Sequence, residues 1–361
     1  MPKHRLIFDA LHEQITAGKF TDGRRLPSEM ELAQRYKVSR PTAARALRDL
    51  TQMGLLERRA GSGTYLRSQP TVAARGESMS LGLLVPGLGN TEILDPICNE
   101  ITRAAQAKHY SVLWGDAAST GPSAEQAMAV CQQCIDRQVN GVFFAPLETI
   151  PDREKVNRQI VQKLADAGIA VVLLDRDVLD FPRRSTFDLV GIDNFQAAYT
   201  LADYLAAAGR KNFRFVAKQG YPSTTDLRMA GCREAVFRRG LKVDADWAQF
   251  GDPSDATFVR GLLDPMPDVI VCANDLTAAL LIQTLTNLGV RIPQDISVVG
   301  FDDVRYATLL SVPLTTIRQP CVRIGQAAVQ AMHERIQTPS LPARQILLTG
   351  KLIIRRSCGT T

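Results

Sequence analysis

From Leu81 onward the chain alternates short runs of branched apolar residues with longer stretches of helical periodicity, and few folds accept that pattern. The runs are SLGLLVP, YSVLWG, NGVFFAP, IAVVLLD, FDLVGID, FRFVAK, DVIVCAN and ISVVGFD. Segments such as ILDPICNEITRAAQAK and REKVNRQIVQKLADAG separate them. Near-continuous apolar strands alternating with helices predict parallel sheets covered on both faces. Right-handed crossovers then give a doubly wound α/β fold. Eight such strands fit two similar lobes better than one sheet, although no internal sequence repeat is visible.

The N-terminal part has a different grammar. Leu6, Ile7, Ala10, Leu11 and Ile15 recur at helical spacing, and Gly18 suits a helix stop. Ser28 stands three residues before Glu31, the signature of a capping box opening a second short helix. Ser39 suits the cap of a third, with Pro41 in its first turn, where a missing N–H is harmless. Ala43, Ala46, Leu47, Leu50 and Met53 form its apolar stripe, and Gly54 ends it. LLERR and TYLR then flank AGSG, which reads as a two-stranded hairpin. Residues 68–79, SQPTVAARGESM, lack apolar periodicity and read as a linker.

Charge falls on the same boundary. Residues 1–77 hold fourteen Lys and Arg against eight Asp and Glu, so the whole net charge of +6 lies there. Such asymmetry points to an anionic partner, nucleic acid above all. A recognition helix enters the major groove by its N-terminal end. Here that end presents Ser39, Arg40, Pro41 and Thr42, followed by Arg45 and Arg48. Arg40 has the reach for a bidentate guanine contact, and Ser39 and Thr42 suit phosphate. Arg58, Arg59, Ala60 and Gly61 give the hairpin the composition of a wing. The alternative is an ordinary three-helix domain with a solvated Arg face.

Residues 26–66, LPSEMELAQRYKVSRPTAARALRDLTQMGLLERRAGSGTYL, resemble the winged helix-turn-helix of the GntR family. That resemblance implies contacts with double-stranded operator DNA through Met30, Ser39, Arg40, Thr42, Ala44, Ala60 and Gly61. Many relatives carry Arg at the positions of Met30 and Ala44. Arg45 lies about 100° further round the helix and does not replace Ala44 automatically.

The remainder resembles the effector domain of the LacI/GalR regulators, a periplasmic-binding-protein-like fold. The motifs are VVLLDRD (171–177), VGIDNFQAA (190–198), Arg228 with Gly231, DVIVCANDLTAALL (268–281) and ISVVGFDDVRYATLLSVPLTTIRQP (296–320). The expected division is a winged helix at 1–67, a linker at 68–79 and an effector domain at 80–357. Within the last, lobe one is expected at about 80–192 plus a return segment between 303 and 318. Lobe two is expected at about 193–302 and 319–350.

Ligands of doubly wound folds sit beyond the carboxyl ends of strands. Asn274, Asp275, Asp302 and Asp303 follow apolar strands directly. Carboxylates and amides pair with vicinal hydroxyls, and Arg adds a fork of donors. The resemblance implies polyol contacts at Arg228, Asn274, Asp302 and Glu148, with residues 86–91 lining the cleft. Phe250, Trp247 and Phe301 are candidate stacking partners. Asp193, Asn194, Asp275 and Asp303 have a competing reading as helix caps or hinge ties.

Catalytic motifs are missing: there is no GxSxG, HExxH or GxxxxGK[ST]. An enzyme domain of the aminotransferase kind needs a strand-end Lys, and only Lys218 comes close. The lone CxxC, Cys131 and Cys134, falls inside a helix with no second ligand pair, so no metal or cofactor is expected. No apolar run reaches the roughly 18 residues of a membrane span, and MPKHRLIFDALHEQI lacks a signal-peptide core. The sequence therefore predicts a cytoplasmic, non-enzymatic, homodimeric DNA-binding regulator, with repression relieved by a small carbohydrate effector. The alternative is a plain ligand-binding or enzyme-like module fused to a DNA-binding head.

Overall fold

The computed structural model describes residues 7–8, 11, 26–52, 56–59, 63–66, 79–85, 92–114, 123–148 and 150–359. The chain divides into two compact units, residues 1–77 and 78–361.

In the first unit, helix α1 (Glu29–Arg35) opens with a complete capping box. Ser28 Oγ accepts from the Glu31 amide at 3.2 Å, and Glu31 Oε2 accepts from the Ser28 amide at 2.6 Å. Helix α2 (Arg40–Gln52) follows, then the antiparallel hairpin of β1 (Leu56–Arg59) and β2 (Gly63–Leu66). Ala43, Ala46, Leu47 and Leu50 are buried as the stripe predicts. They pack with Ile7, Leu11, Leu26, Leu32 and Leu56 into one small core. Of the expected first helix, Ile7, Phe8 and Leu11 are described, and all three are helical. Met53, Gly54, the hairpin tip and the linker up to Ser78 lie outside the described residues.

The second unit contains two six-stranded sheets. The first collects β3 (Ser80–Leu84), β4 (Ser111–Trp114), β5 (Gly141–Phe144), β6 (Ala170–Leu174), β7 (Asp188–Ile192) and the distant β13 (Gln345–Leu348). Their spatial order is β4-β3-β5-β6-β7-β13, parallel throughout. The second holds β8 (Phe213–Ala217), β9 (Ala248–Phe250), β10 (Val269–Cys272), β11 (Ser297–Asp302), β12 (Thr315–Arg318) and β14 (Lys351–Ile353). Its order is β9-β8-β10-β11-β12-β14, and only β14 runs antiparallel to its neighbour.

The two orders are the same: second strand, first, third, fourth, fifth, then a strand from the chain end. The lobes are thus a structural repeat without a visible sequence repeat. All eight expected strands are present. The additional four, β9 and β12 to β14, are three or four residues long and each is broken by a polar residue, so none forms a continuous apolar run. Helices α3 (Leu94–Ala107), α4 (Ala124–Asp136) and α5 (Arg153–Asp166) belong to lobe one. Helices α6 (Asn194–Ala207), α7 (Ser223–Arg238), α8 (Ala256–Leu262) and α9 (Asp275–Asn287) belong to lobe two.

The expected lobe boundaries need correction after residue 302. Segment 303–318 stays in lobe two, because β12 pairs with β11 in register Val299↔Thr315. Helix α10 (Cys321–Gln337) and β13 return to lobe one. The close approaches show why. A Cβ on Gly141 of β5 would meet Met332 Sδ of α10 at 2.3 Å, and one on Gly325 of α10 would meet Glu100 Cβ of α3 at 2.8 Å. The chain therefore crosses between lobes three times, at 192–194, 318–321 and 348–351. The CxxC cysteines are buried on α4, and burial pushes the Cys134 thiol up to about 11.

Candidate functional site

The DNA-facing candidates sit where two helices begin. Arg40 is largely exposed, and its Nε donates to Glu29 Oε2 at 3.2 Å, tying the start of α2 to α1. Exposed pairs of this kind contribute about 0–1 kcal/mol, so Arg40 exchanges partners readily. Ser39 Oγ and Thr42 Oγ1 share a hydrogen bond of 2.8 Å on the same exposed end. Met30 is 63% exposed, Arg45 is exposed and Ala44 half-buried. Arg48 lies on α2, and Arg58 and Arg59 lie on β1. Ala60 and Gly61 lie outside the described residues.

In the second unit the carboxyl ends of both sheets face one cleft, as doubly wound topology dictates. Within it lies a cavity of about 330 Å³. Lobe one contributes Glu148, beyond β5, and Asp175 and Arg176, directly after β6. Lobe two contributes Arg228 of α7, Asn274 after β10 and Asp302 at the end of β11. A more open space of about 1210 Å³ adjoins it through Glu148, Gln219, Gly220 and Tyr221.

Arg228 is the centre of lobe two's share. Its Nε donates to Asn194 Oδ1 at 2.8 Å, its Nη1 to the Ala273 carbonyl at 2.5 Å and its Nη2 to Asp302 Oδ1 at 3.4 Å. Its guanidinium lies 4.6 Å from the centre of the Phe301 ring. Asp302 Oδ1 also accepts from Gln319 Nε2 at 2.8 Å. Opposite, Arg176 donates through Nε to Asp175 Oδ2 at 3.0 Å and pairs with Glu148 through Nη1. Each lobe thus offers a carboxylate–guanidinium pair. Burial pushes the Asp175 carboxyl up to about 6, with Arg228 opposing and Asp302 adding to the rise. Burial likewise raises Asp302, against the pull of Arg228.

Several expectations separate cleanly at this point. Glu148, Arg228, Asn274 and Asp302 all line the one cavity. Asn274 Oδ1 is engaged in capping α9, accepting from the Thr277 amide at 2.9 Å, so its Nδ2 is the end turned to other partners. Asp193 is a helix cap, accepting from the Gln196 amide at 2.9 Å. Asp275 is fully buried and accepts from Thr316 Oγ1 at 2.6 Å and the Val304 amide at 3.1 Å. Asp303 accepts from Arg318 Nε at 2.5 Å and Arg355 Nη2 at 2.6 Å, tying the end of β12 to the segment that follows β14.

The expected stacking residues are corrected. Phe301 is buried beneath Arg228, and Trp247 packs edge-on against Phe215 in the core at 5.8 Å. Phe250 stacks on Tyr221 with centroids 5.0 Å apart, and Tyr221 is the aromatic on the cavity. Asn194, read from the sequence as a cap or hinge tie, accepts from Arg228, and Asp175, Arg176 and Gln319 are not singled out as site residues by the sequence reading. Asp175 carried the same signal as Asp302, a carboxylate ending an apolar strand.

Residues 4–66 match the family of bacterial regulatory proteins, gntR family, and residues 202–358 match a periplasmic binding protein-like domain. The arabinose metabolism transcriptional repressor of Geobacillus stearothermophilus is 26% identical over 99% of this chain and 98% of its own length. The transcriptional repressor PurR of Pasteurella multocida is 31% identical, over 65% of this chain and 76% of its own. The chain belongs to the LacI-type transcriptional repressors, with a GntR-type head. A solved complex of the regulator CelR with cellobiose superposes on this LacI-type chain with a TM-score of 0.66 at 21% identity, covering 92% of this chain and 100% of that one. A LacI-type regulator is a DNA-binding protein and not an enzyme, and no helix among the described residues is long and apolar enough to cross a membrane.

Proposed function

We propose that this regulator is a cytoplasmic homodimer that holds its operator through the head and releases it when a carbohydrate effector closes the cleft. The observation that carries the reading is the pair of carboxylate–guanidinium couples, Asp175–Arg176 from one lobe and Arg228–Asp302 from the other, that line the same cavity. A polyol supplies hydroxyls that donate to the carboxylates and accept from the guanidinium groups, so it bridges both lobes at once. Effector contacts fall to Arg228, Asp302, Asn274 Nδ2, Glu148 and Asp175. Arg40, Ser39, Thr42, Arg45, Arg48, Met30 and Ala44 read the operator with the wing residues Arg58, Arg59 and Gly61. The arabinose repressor and the cellobiose complex among the relatives support a sugar. Two heads per dimer suit two operator half-sites.

A thermal-shift screen of the full-length protein against pentoses, hexoses, polyols and nucleosides tests this. A ligand at 100 times its Kd adds about 2.7 kcal/mol of stability. A hit that Asp302→Ala abolishes supports the reading. A screen without any shift, or a hit indifferent to Asp302→Ala, removes it.

A further inference from the structure

The charges of the cleft say more about its ligand than a list of polar contacts does. Four carboxylates, Glu92, Glu148, Asp175 and Asp302, line the cavity against three cations, Arg176, Lys218 and Arg228. Both arginine charges are already matched by carboxylates, although each guanidinium keeps N–H groups for a neutral hydroxyl. Arg176 gives Nε to Asp175 at 3.0 Å, Nη2 to Asp175 at 2.8 Å and Nη1 to Glu148. Arg228 has its three nitrogens on Asn194, Ala273 and Asp302. Lys218 is exposed, at the rim.

The cavity also holds an unmet acceptor. Asp175 Oδ1 is buried and takes no hydrogen bond from any described residue, and Asp175, which lines the cavity, is 6% exposed. A buried acceptor without a donor is costly, so a ligand that brings it a donor gains where a ligand bearing only acceptors does not. A second anion beside Asp175 and Asp302 adds like-charge repulsion in a site of low dielectric.

We propose that the cleft is selective against anionic ligands, that Asp175 is the residue that sets this selectivity, and that the effector is an uncharged polyol presenting a hydroxyl or N–H donor to Asp175. Sugar phosphates and sugar acids are excluded by charge rather than by size. The inference rests on the effector reading above and narrows it. The rise of the Asp175 and Asp302 carboxyls with burial is consistent with a cavity already crowded with negative charge.

The test is titration calorimetry of the full-length protein with matched pairs: D-ribose and D-ribose 5-phosphate, D-glucose and D-glucose 6-phosphate, L-arabinose and L-arabinonate, adenosine and its 5′-monophosphate. In each pair that binds, the neutral member is expected to bind at least about 30-fold more tightly than the charged one. Asp175→Asn keeps the shape and removes the charge, and it is expected to shrink that ratio about tenfold, with the neutral ligand weakened and the anion gaining. A charged member binding as tightly as its neutral partner overturns the inference alone. An unchanged ratio in Asp175→Asn overturns the assignment to Asp175. If that variant lacks a cooperative melting transition, Glu148→Gln, which neutralises the other lobe-one carboxylate on the cavity, is expected to shrink the ratio in the same direction. An unchanged ratio in Glu148→Gln overturns exclusion by charge. A panel in which nothing binds overturns the effector reading and this inference with it.

Discussion

Asp175, Asp302 and Asp303 all have left-handed backbones, with φ of 67°, 113° and 54°. Residues other than glycine adopt such angles at a cost of about 1–3 kcal/mol each, and they persist where surrounding contacts over-determine them. Here the strain turns two carboxylates off strand ends and into the cleft. The sequence displayed the carboxylates but could not display their partners, since Arg228 reaches Asn194 and Asp302 across 34 and 74 residues of chain. That is why Arg228 and Asp302 were legible as individual candidates while their wiring through Asn194 and Gln319 was not. A pH prediction follows from Asp175. Arg176, Arg228, Asp302 and Cys321 surround it, and its carboxyl titrates near 6 because burial disfavours the ion. The ionised form is the stronger acceptor, because protonation turns one oxygen into a donor. Effector affinity is therefore expected to be full above pH 7 and to fall by up to about tenfold per pH unit below 6. Calorimetry from pH 7.5 to 5 checks this, and Asp175→Asn should flatten the step.

At the scale of elements, local signals were read correctly and long-range ones were not. The capping box at Ser28 and Glu31 depends on residues three apart, and it forms as the sequence says. The placement of α10 depends on Met332 meeting Gly141, 191 residues earlier, and the expected lobe boundary missed it. Gly231, quoted only as a family motif with Arg228, has a plain physical task. A Cβ there would meet the Phe195 carbonyl oxygen at 2.2 Å and the Tyr199 amide nitrogen at 3.1 Å, so the absence of a side chain lets α7 lie directly on the first turns of α6. Those contacts are backbone atoms that cannot rotate away. Gly231→Ala is expected to separate the helices and cost about 2–3 kcal/mol, in the range of overpacked sites. Chemical denaturation monitored by circular dichroism measures it. Because α6 starts at the Asn194 crossing and α7 carries Arg228, effector binding should weaken in the same variant.

At the scale of the effector unit, the duplicated strand order places two rigid lobes on three chain crossings, and the open question is what holds them at a given angle. Arg153 answers in part. It belongs to α5 of lobe one, where its Nη2 donates to Asp180 Oδ1 at 2.9 Å, and its Nη1 donates across the cleft to the Tyr221 carbonyl of lobe two at 2.5 Å. The side chain is 24% exposed, so this charge-assisted bond is partly shielded from water and worth more than a surface contact. Tyr221 is also the aromatic on the cavity, stacked on Phe250. Arg153 therefore fastens the mouth of the cleft to a residue that borders the ligand. Removing it leaves the three crossings and both cores intact, so Arg153→Ala should fold normally but spend more time open. Small-angle scattering of the unliganded protein is expected to show a larger radius of gyration than the wild type. Effector dissociation followed by stopped flow should accelerate about tenfold, the equivalent of one charge-assisted hydrogen bond of about 1.4 kcal/mol. Identical scattering and identical dissociation would mean that the crossings alone set the lobe angle, and that the mouth contact follows closure without contributing to it.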